Sequence, residues 1–169
     1  MLRKNLKYII ATCLISLSIL LTILVPGGPI ETRDFSHYDI WILSLFNIFL
    51  TSLGIISIIT AFLIIKQIKY SISTTIIISL LYIFVYLSDL FKIFPISNIP
   101  MSNALFTIEF ISTIIAISLL YLCIKYDFTT KENNSTFKIP TFFKILLILI
   151  IFLFSIAIIL FATNSAMGN

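Results

Sequence analysis

Five long apolar runs, separated by short polar stretches, limit the folds open to this chain more than any other feature of its sequence. The runs are Tyr8–Val25, Ile40–Ile65, Ile72–Phe94, Asn103–Ile124 and Phe142–Thr163. Because a helix needs about 20 apolar residues to cross roughly 30 Å of hydrocarbon, each run is long enough to span a bilayer. The sequence therefore predicts an all-α protein, in which five transmembrane helices form a single membrane domain over residues 1–169.

The composition agrees with a membrane location. Hydrophobic residues make up 60% of the chain and charged residues 11%, which leaves too little polar surface for a soluble domain of this size. The net charge of +4 does not indicate nucleic-acid binding, because the basic residues lie at the ends of the apolar runs. We expect the lipid bilayer as partner, no nucleic acid, and a place in the plasma membrane of a prokaryote.

The distribution of basic residues predicts the orientation. Nine of the eleven lie on one side of the predicted helices: Arg3, Lys4, Lys7, Lys66, Lys69, Lys125, Lys131, Lys138 and Lys144. Because basic loops stay in the cytoplasm, the N-terminus should be cytoplasmic and the C-terminus outside. We expect the first run to be retained rather than cleaved as a signal peptide, since it is about 18 residues long and has no A-x-A-like site after it.

Small and weakly polar residues mark the faces on which membrane helices pack. Such residues form stripes along the second, third and fourth runs, for example around Gly54, and are nearly missing from the fifth. We expect those three helices to form the core, the fifth to be peripheral and the first to be intermediate. Cys13 and Cys123 lie in separate runs and are interpreted as packing residues, and we predict neither a metal site nor a cofactor.

Two acidic residues inside apolar runs are the candidate site. Asp89 precedes Pro95 by six residues and Glu109 follows Ser102 by seven, so an antiparallel hairpin places both at a similar depth. Lys92 is three residues after Asp89, on the same face of a continuous helix, and can neutralise one carboxylate. We predict that Asp89, Lys92 and Glu109 form one polar cluster, which serves either a proton, cation or polar solute, or a structural clasp.

The loop between the first two runs is unusually polar. Its charged and titratable residues are Glu31, Arg33, Asp34, His37 and Asp39. They are either a solvated connector or a binding patch, since loops often carry function. A lone histidine is too little for a metal site.

Three functions remain open for this sequence. The first is a non-enzymatic subunit or assembly partner in a membrane complex, which the small number of polar groups favours. The second is a small carrier for a proton, cation or polar solute that uses Asp89 and Glu109. The third is a membrane-embedded enzyme with the same acids near the outer face, helped by His37 or Arg33. A first loop folded over Asp89 and Glu109 would make the closed polar pocket that an enzyme needs, whereas a flat, open outer face would favour a partner protein.

Overall fold

The computed structural model describes residues 2–68, 70–125 and 141–168. These residues form five helices and no strand, which confirms the all-α prediction for the described part of the chain. The helices are α1 (Leu2–Ile23), α2 (Ile40–Ile65), α3 (Ser71–Leu90), α4 (Asn103–Lys125) and α5 (Thr141–Ala166). All five are long and apolar enough to cross a membrane. The predicted loop residues Lys69, Lys131 and Lys138 lie outside the described residues.

Helix α3 ends at Leu90, four residues earlier than the apolar run predicts. The N–H groups of Ile93 and Phe94 donate back to the carbonyl of Ser88, at 2.8 and 3.3 Å, and Lys92, directly before them, has a left-handed φ of 55°. This is a helix-terminating turn of the type that satisfies the last carbonyls. Pro95 follows at once and disfavours helical geometry at Phe94.

The first four helices form a closed ring. Helix α1 packs against α2, α2 against α3, α3 against α4, and α4 against α1. Near one end, the Lys7 ammonium donates to the carbonyl of Ile65 at 3.2 Å. We call the opposite end, formed by residues 24–39 and 91–102, the loop end of the bundle.

Helix α1 belongs to the core, so the prediction of an intermediate first helix is wrong. Its residues Ile10, Leu14 and Leu17 recur at steps of four and three and are fully buried. The stripes of small polar residues did not reveal this face because branched apolar side chains build it. We predicted a core of α2, α3 and α4, and the structure adds α1 to it, so that the core is a ring of four helices.

Helix α5 is peripheral, as predicted. Only 11% of an 18-residue apolar stretch of α5 is buried, against 28–44% for the corresponding stretches of the other helices. It packs on α2, where the Asn47 amide donates to Thr163 Oγ1 at 3.2 Å. At the loop end the Phe35 N–H donates to the carbonyl of Ala166 at 3.0 Å, which ties the end of α5 to the first loop.

A close approach at Gly54 gives a test of the α1–α2 contact. Ser18 Oγ donates to the Gly54 carbonyl at 3.0 Å, and a Cβ on Gly54 would lie 3.4 Å from that oxygen. We therefore expect Gly54→Ala to be tolerated and Gly54→Leu to lose about 1–3 kcal/mol through overpacking. Thermal unfolding in detergent measures both, and Leu149→Phe on the exposed face of α5 is the matched control. Equal losses in Gly54→Leu and Leu149→Phe would contradict this packing.

Candidate functional site

A buried ion cluster lies at the loop end of the bundle. Arg33 donates from Nη1 and Nη2 to the two carboxylate oxygens of Asp89, both at 2.7 Å. Its Nε donates to the carboxylate of Glu31, at 2.9 Å to Oε1 and 3.1 Å to Oε2. All three residues are at most 8% exposed. Two parallel charge-assisted bonds to one carboxylate are a strong and orientation-specific contact, so Arg33 fixes the first loop to the end of α3.

Burial alternates along residues 31–35 of the first loop, as it does in an extended chain. Successive side chains of an extended chain point to opposite sides, and here Glu31, Arg33 and Phe35 are buried while Thr32 and Asp34 are exposed. The Arg33 N–H also donates to Glu31 Oε1 at 3.0 Å. The Phe35 ring lies 5.2 Å from the guanidinium carbon, within cation–π range.

The predicted patch on the first loop is therefore divided. Glu31 and Arg33 belong to the buried cluster, whereas Asp34, His37 and Asp39 are exposed. Asp34 accepts hydrogen bonds from the Ser36 N–H at 2.8 Å and the Ser36 hydroxyl at 3.0 Å, which lower the pKa of its carboxyl. His37, considered as a contributor to an enzyme site, is exposed and takes no part in the cluster.

Burial opposes the charge of Arg33, but its partners outweigh that effect. The hydrogen bonds and the negative charges of Asp89 and Glu31 together raise the pKa of the guanidinium above its usual value. Arg33 is thus a permanent cation at the centre of the cluster.

Glu109 of α4 completes the cluster. Its carboxyl group lies against that of Asp89, within hydrogen-bonding reach, and the residue is 3% exposed. The structure thus brings Asp89 and Glu109 together across the α3–α4 hairpin. Glu109 Oε2 has no hydrogen-bond partner among the described residues.

Lys92 does not join the two acids, so the prediction that it neutralises one of them is wrong. Its side chain is exposed. The prediction assumed a helix that continues past Asp89, but α3 ends at Leu90 and the left-handed turn at Lys92 redirects the chain. Arg33 supplies the positive charge instead. The sequence could have suggested Arg33, because two buried carboxylates require a cation and Arg33 and Lys92 are the two basic residues at this end.

A cavity of about 50 Å³ lies beside the cluster, with Glu31, Arg33, Tyr86, Asp89 and Glu109 among its lining residues. The hydroxyl of Tyr86, which is 1% exposed, lies near that of Ser112, but neither makes a hydrogen bond of good geometry within the described part of the chain. A cavity of this size is large enough for a few water-sized groups. The site therefore offers unsatisfied oxygen atoms to a small polar ligand.

The first loop covers the cluster and is held there by the α3–α4 loop. The Tyr38 hydroxyl accepts a hydrogen bond from the Ile96 N–H at 3.0 Å, and the Ser97 hydroxyl donates to the Asp34 carbonyl at 2.9 Å. Phe94 packs edge-on against Tyr38 and Phe46. The loop end is thus a folded cover over the two acids rather than a flat surface. Among the described residues, no three His, Cys, Asp or Glu side chains are arranged to hold a metal ion.

Removal of Arg33 should be far more damaging than removal of the other basic residue at this end. Arg33→Ala leaves Asp89 and Glu31 buried without their cation, a change that costs about 3–5 kcal/mol in comparable buried pairs. We expect a large fall in melting temperature in detergent, and an almost unchanged value for Lys92→Ala. A similar small effect of both substitutions would show that the ion pair is dispensable.

Comparison with known proteins identifies a family. Residues 6–137 match the family described as "Domain of unknown function (DUF8051)". The match includes every residue of the buried cluster and the four helices of the ring except the first four residues of α1, whereas α5 lies beyond it. No curated protein and no solved structure matches the chain.

Proposed function

The chain belongs to the DUF8051 family, and we propose that it is a multi-pass integral membrane protein that acts as a small carrier and binds a proton at the Asp89–Glu109 carboxyl pair. The proposal rests above all on the excess of acid in the buried cluster. Glu31, Asp89 and Glu109 share one guanidinium, so two carboxylates in contact would repel each other if both were ionised. A shared proton relieves that repulsion and gives the pair a hydrogen bond.

The groups that face Glu109 are consistent with proton binding. Helix α3 contributes Asp89 and Tyr86, and the first loop contributes Arg33 and Glu31. Helix α1, which also packs against α4, contributes only the apolar Leu21 to the lining of the cavity, and Leu24, just beyond its end, is apolar as well. The folded cover favours a carrier over an assembly partner, because a partner surface would be open and flat.

The proposed orientation places the N-terminus in the cytoplasm and the C-terminus outside, in the plasma membrane of a prokaryote. Among residues with described side chains, Lys7, Lys66 and Lys125 lie at the end opposite the loop end. At the loop end the charge of Arg33 is neutralised, so Lys92 is the exposed cation there within the described residues. An excess of basic residues marks the cytoplasmic side.

Reporter fusions test this orientation. A reporter that is active only outside the cytoplasm should give full activity after Asn169 and none after Lys125, because the two positions lie on opposite sides of the proposed bilayer. Activity after Lys125, or its loss after Asn169, would overturn the topology.

Infrared spectroscopy tests the proton. We expect the stretching band of a protonated carboxyl group at neutral pH, lost in Glu109→Gln and retained in Asp34→Asn, which alters an exposed acid. Glu109→Gln should keep a near-normal melting temperature, because its amide can still donate to Asp89. If the wild-type protein lacks the band at neutral pH, the pair holds no proton and the proposal fails.

A further inference from the structure

A second, larger cavity lies between α1, α2 and α5. It measures about 400 Å³ and we call it the apolar groove. Its walls are almost entirely hydrophobic, with a few weakly polar residues such as Ser18 and Thr51. Helix α5, which lies outside the family match, contributes one wall: Ile151, Phe154, Ile158 and Ala162.

The apolar groove adjoins the acidic cavity. The two share the lining residues Leu21, Leu24, Pro26, Asn47 and Leu50. These shared residues lie where an apolar cavity meets one that carries three carboxyl groups and one guanidinium. Ligand sites in proteins usually combine such a large apolar surface with a few convergent polar groups.

The acidic side presents oxygen atoms that a bound ligand could satisfy. Glu109 Oε2 and the Tyr86 hydroxyl have no hydrogen-bond partner among the described residues, and both residues line the acidic cavity. A protonated amine carries N–H donors and no acceptor, so it can donate to both oxygens while its charge offsets the excess of acid. A carboxylate head would instead meet like charge there.

Resting on the carrier function proposed above, we infer that the two cavities together bind a small amphiphilic cation, with its apolar body in the groove and its ammonium group at Glu109. The ammonium group then replaces the proton of the Asp89–Glu109 pair. The groups that face it are Asp89 and Tyr86 from α3 and Glu31 and Arg33 from the first loop. Binding should therefore weaken as the pH falls and the pair takes up its proton.

Three probes with one tail and different heads test this inference. Full-length protein in nanodiscs of zwitterionic lipid is titrated with radiolabelled decylammonium, and unlabelled decylammonium, decanol and decanoate compete. We expect saturable binding that decylammonium displaces and decanoate does not. Glu109→Gln should weaken it roughly tenfold or more, the scale of one charge-assisted hydrogen bond, whereas Asp34→Asn should not.

Two substitutions on α2 test the groove. Ile58 lines it and Ile48 does not, and both are about half exposed. Ile58→Trp should fill the groove and weaken decylammonium binding at least severalfold, while Ile48→Trp leaves it unchanged. A retained infrared carboxyl band shows that Ile58→Trp has folded with its acidic cavity intact.

The alternative results are distinct. Equal displacement by decanol, with no effect of Glu109→Gln, would mean that the groove holds an uncharged lipid chain and would overturn the inference. Absence of saturable binding would overturn it too. If the wild-type carboxyl band is present in either case, the proton proposal stands and only the amphiphilic substrate is rejected. Loss of the wild-type band would reject the proton itself.

Discussion

The contact of Arg33 with Asp89 and Glu31 is the interaction on which the loop end of the protein depends. Burial of charged groups is favourable only when their hydrogen bonds are nearly complete, and Arg33 uses Nε, Nη1 and Nη2 on two carboxylates. The contact joins the first loop to α3. Because Phe35 is bonded to the end of α5, the position of that helix also depends on the loop.

The same contact leaves the cluster unbalanced. The one guanidinium binds Asp89 and Glu31, so Glu109 has no cation of its own in the cluster. One of its carboxylate oxygens has no hydrogen-bond partner among the described residues. If residue 109 only held α3 and α4 together, an amide or an apolar side chain would be more favourable there, since burying an acid without a cation costs free energy. An acid here, next to a cavity and to a Tyr86 hydroxyl without a hydrogen-bond partner among the described residues, is the physical reason to expect a ligand.

The sequence predicted the parts of this arrangement that depend on length and period. Five apolar runs identify five helices, and counting residues from the α3–α4 turn places Asp89 level with Glu109. Lys92 was misassigned because helical spacing was extended past the end of α3, where the backbone turns. An alternating pattern along the first loop places Glu31 and Arg33 on the same side of the chain. The sequence does not show that this side is the buried one, because that depends on the contact of Arg33 with Asp89, which is 56 residues away.

Packing was harder to predict, because small residues show only some of the helix contacts. The α1–α2 contact does contain Gly54 and Ser18, yet most of the core face of α1 is branched and apolar. The ring closes without α5, which adds a groove wall instead. Asn47 connects the two regions, since it lines both cavities and donates to Thr163 of α5. The apolar part of a ligand in the groove would therefore contact α5. The end of that helix is hydrogen-bonded to Phe35, which is two residues from Arg33 of the buried cluster.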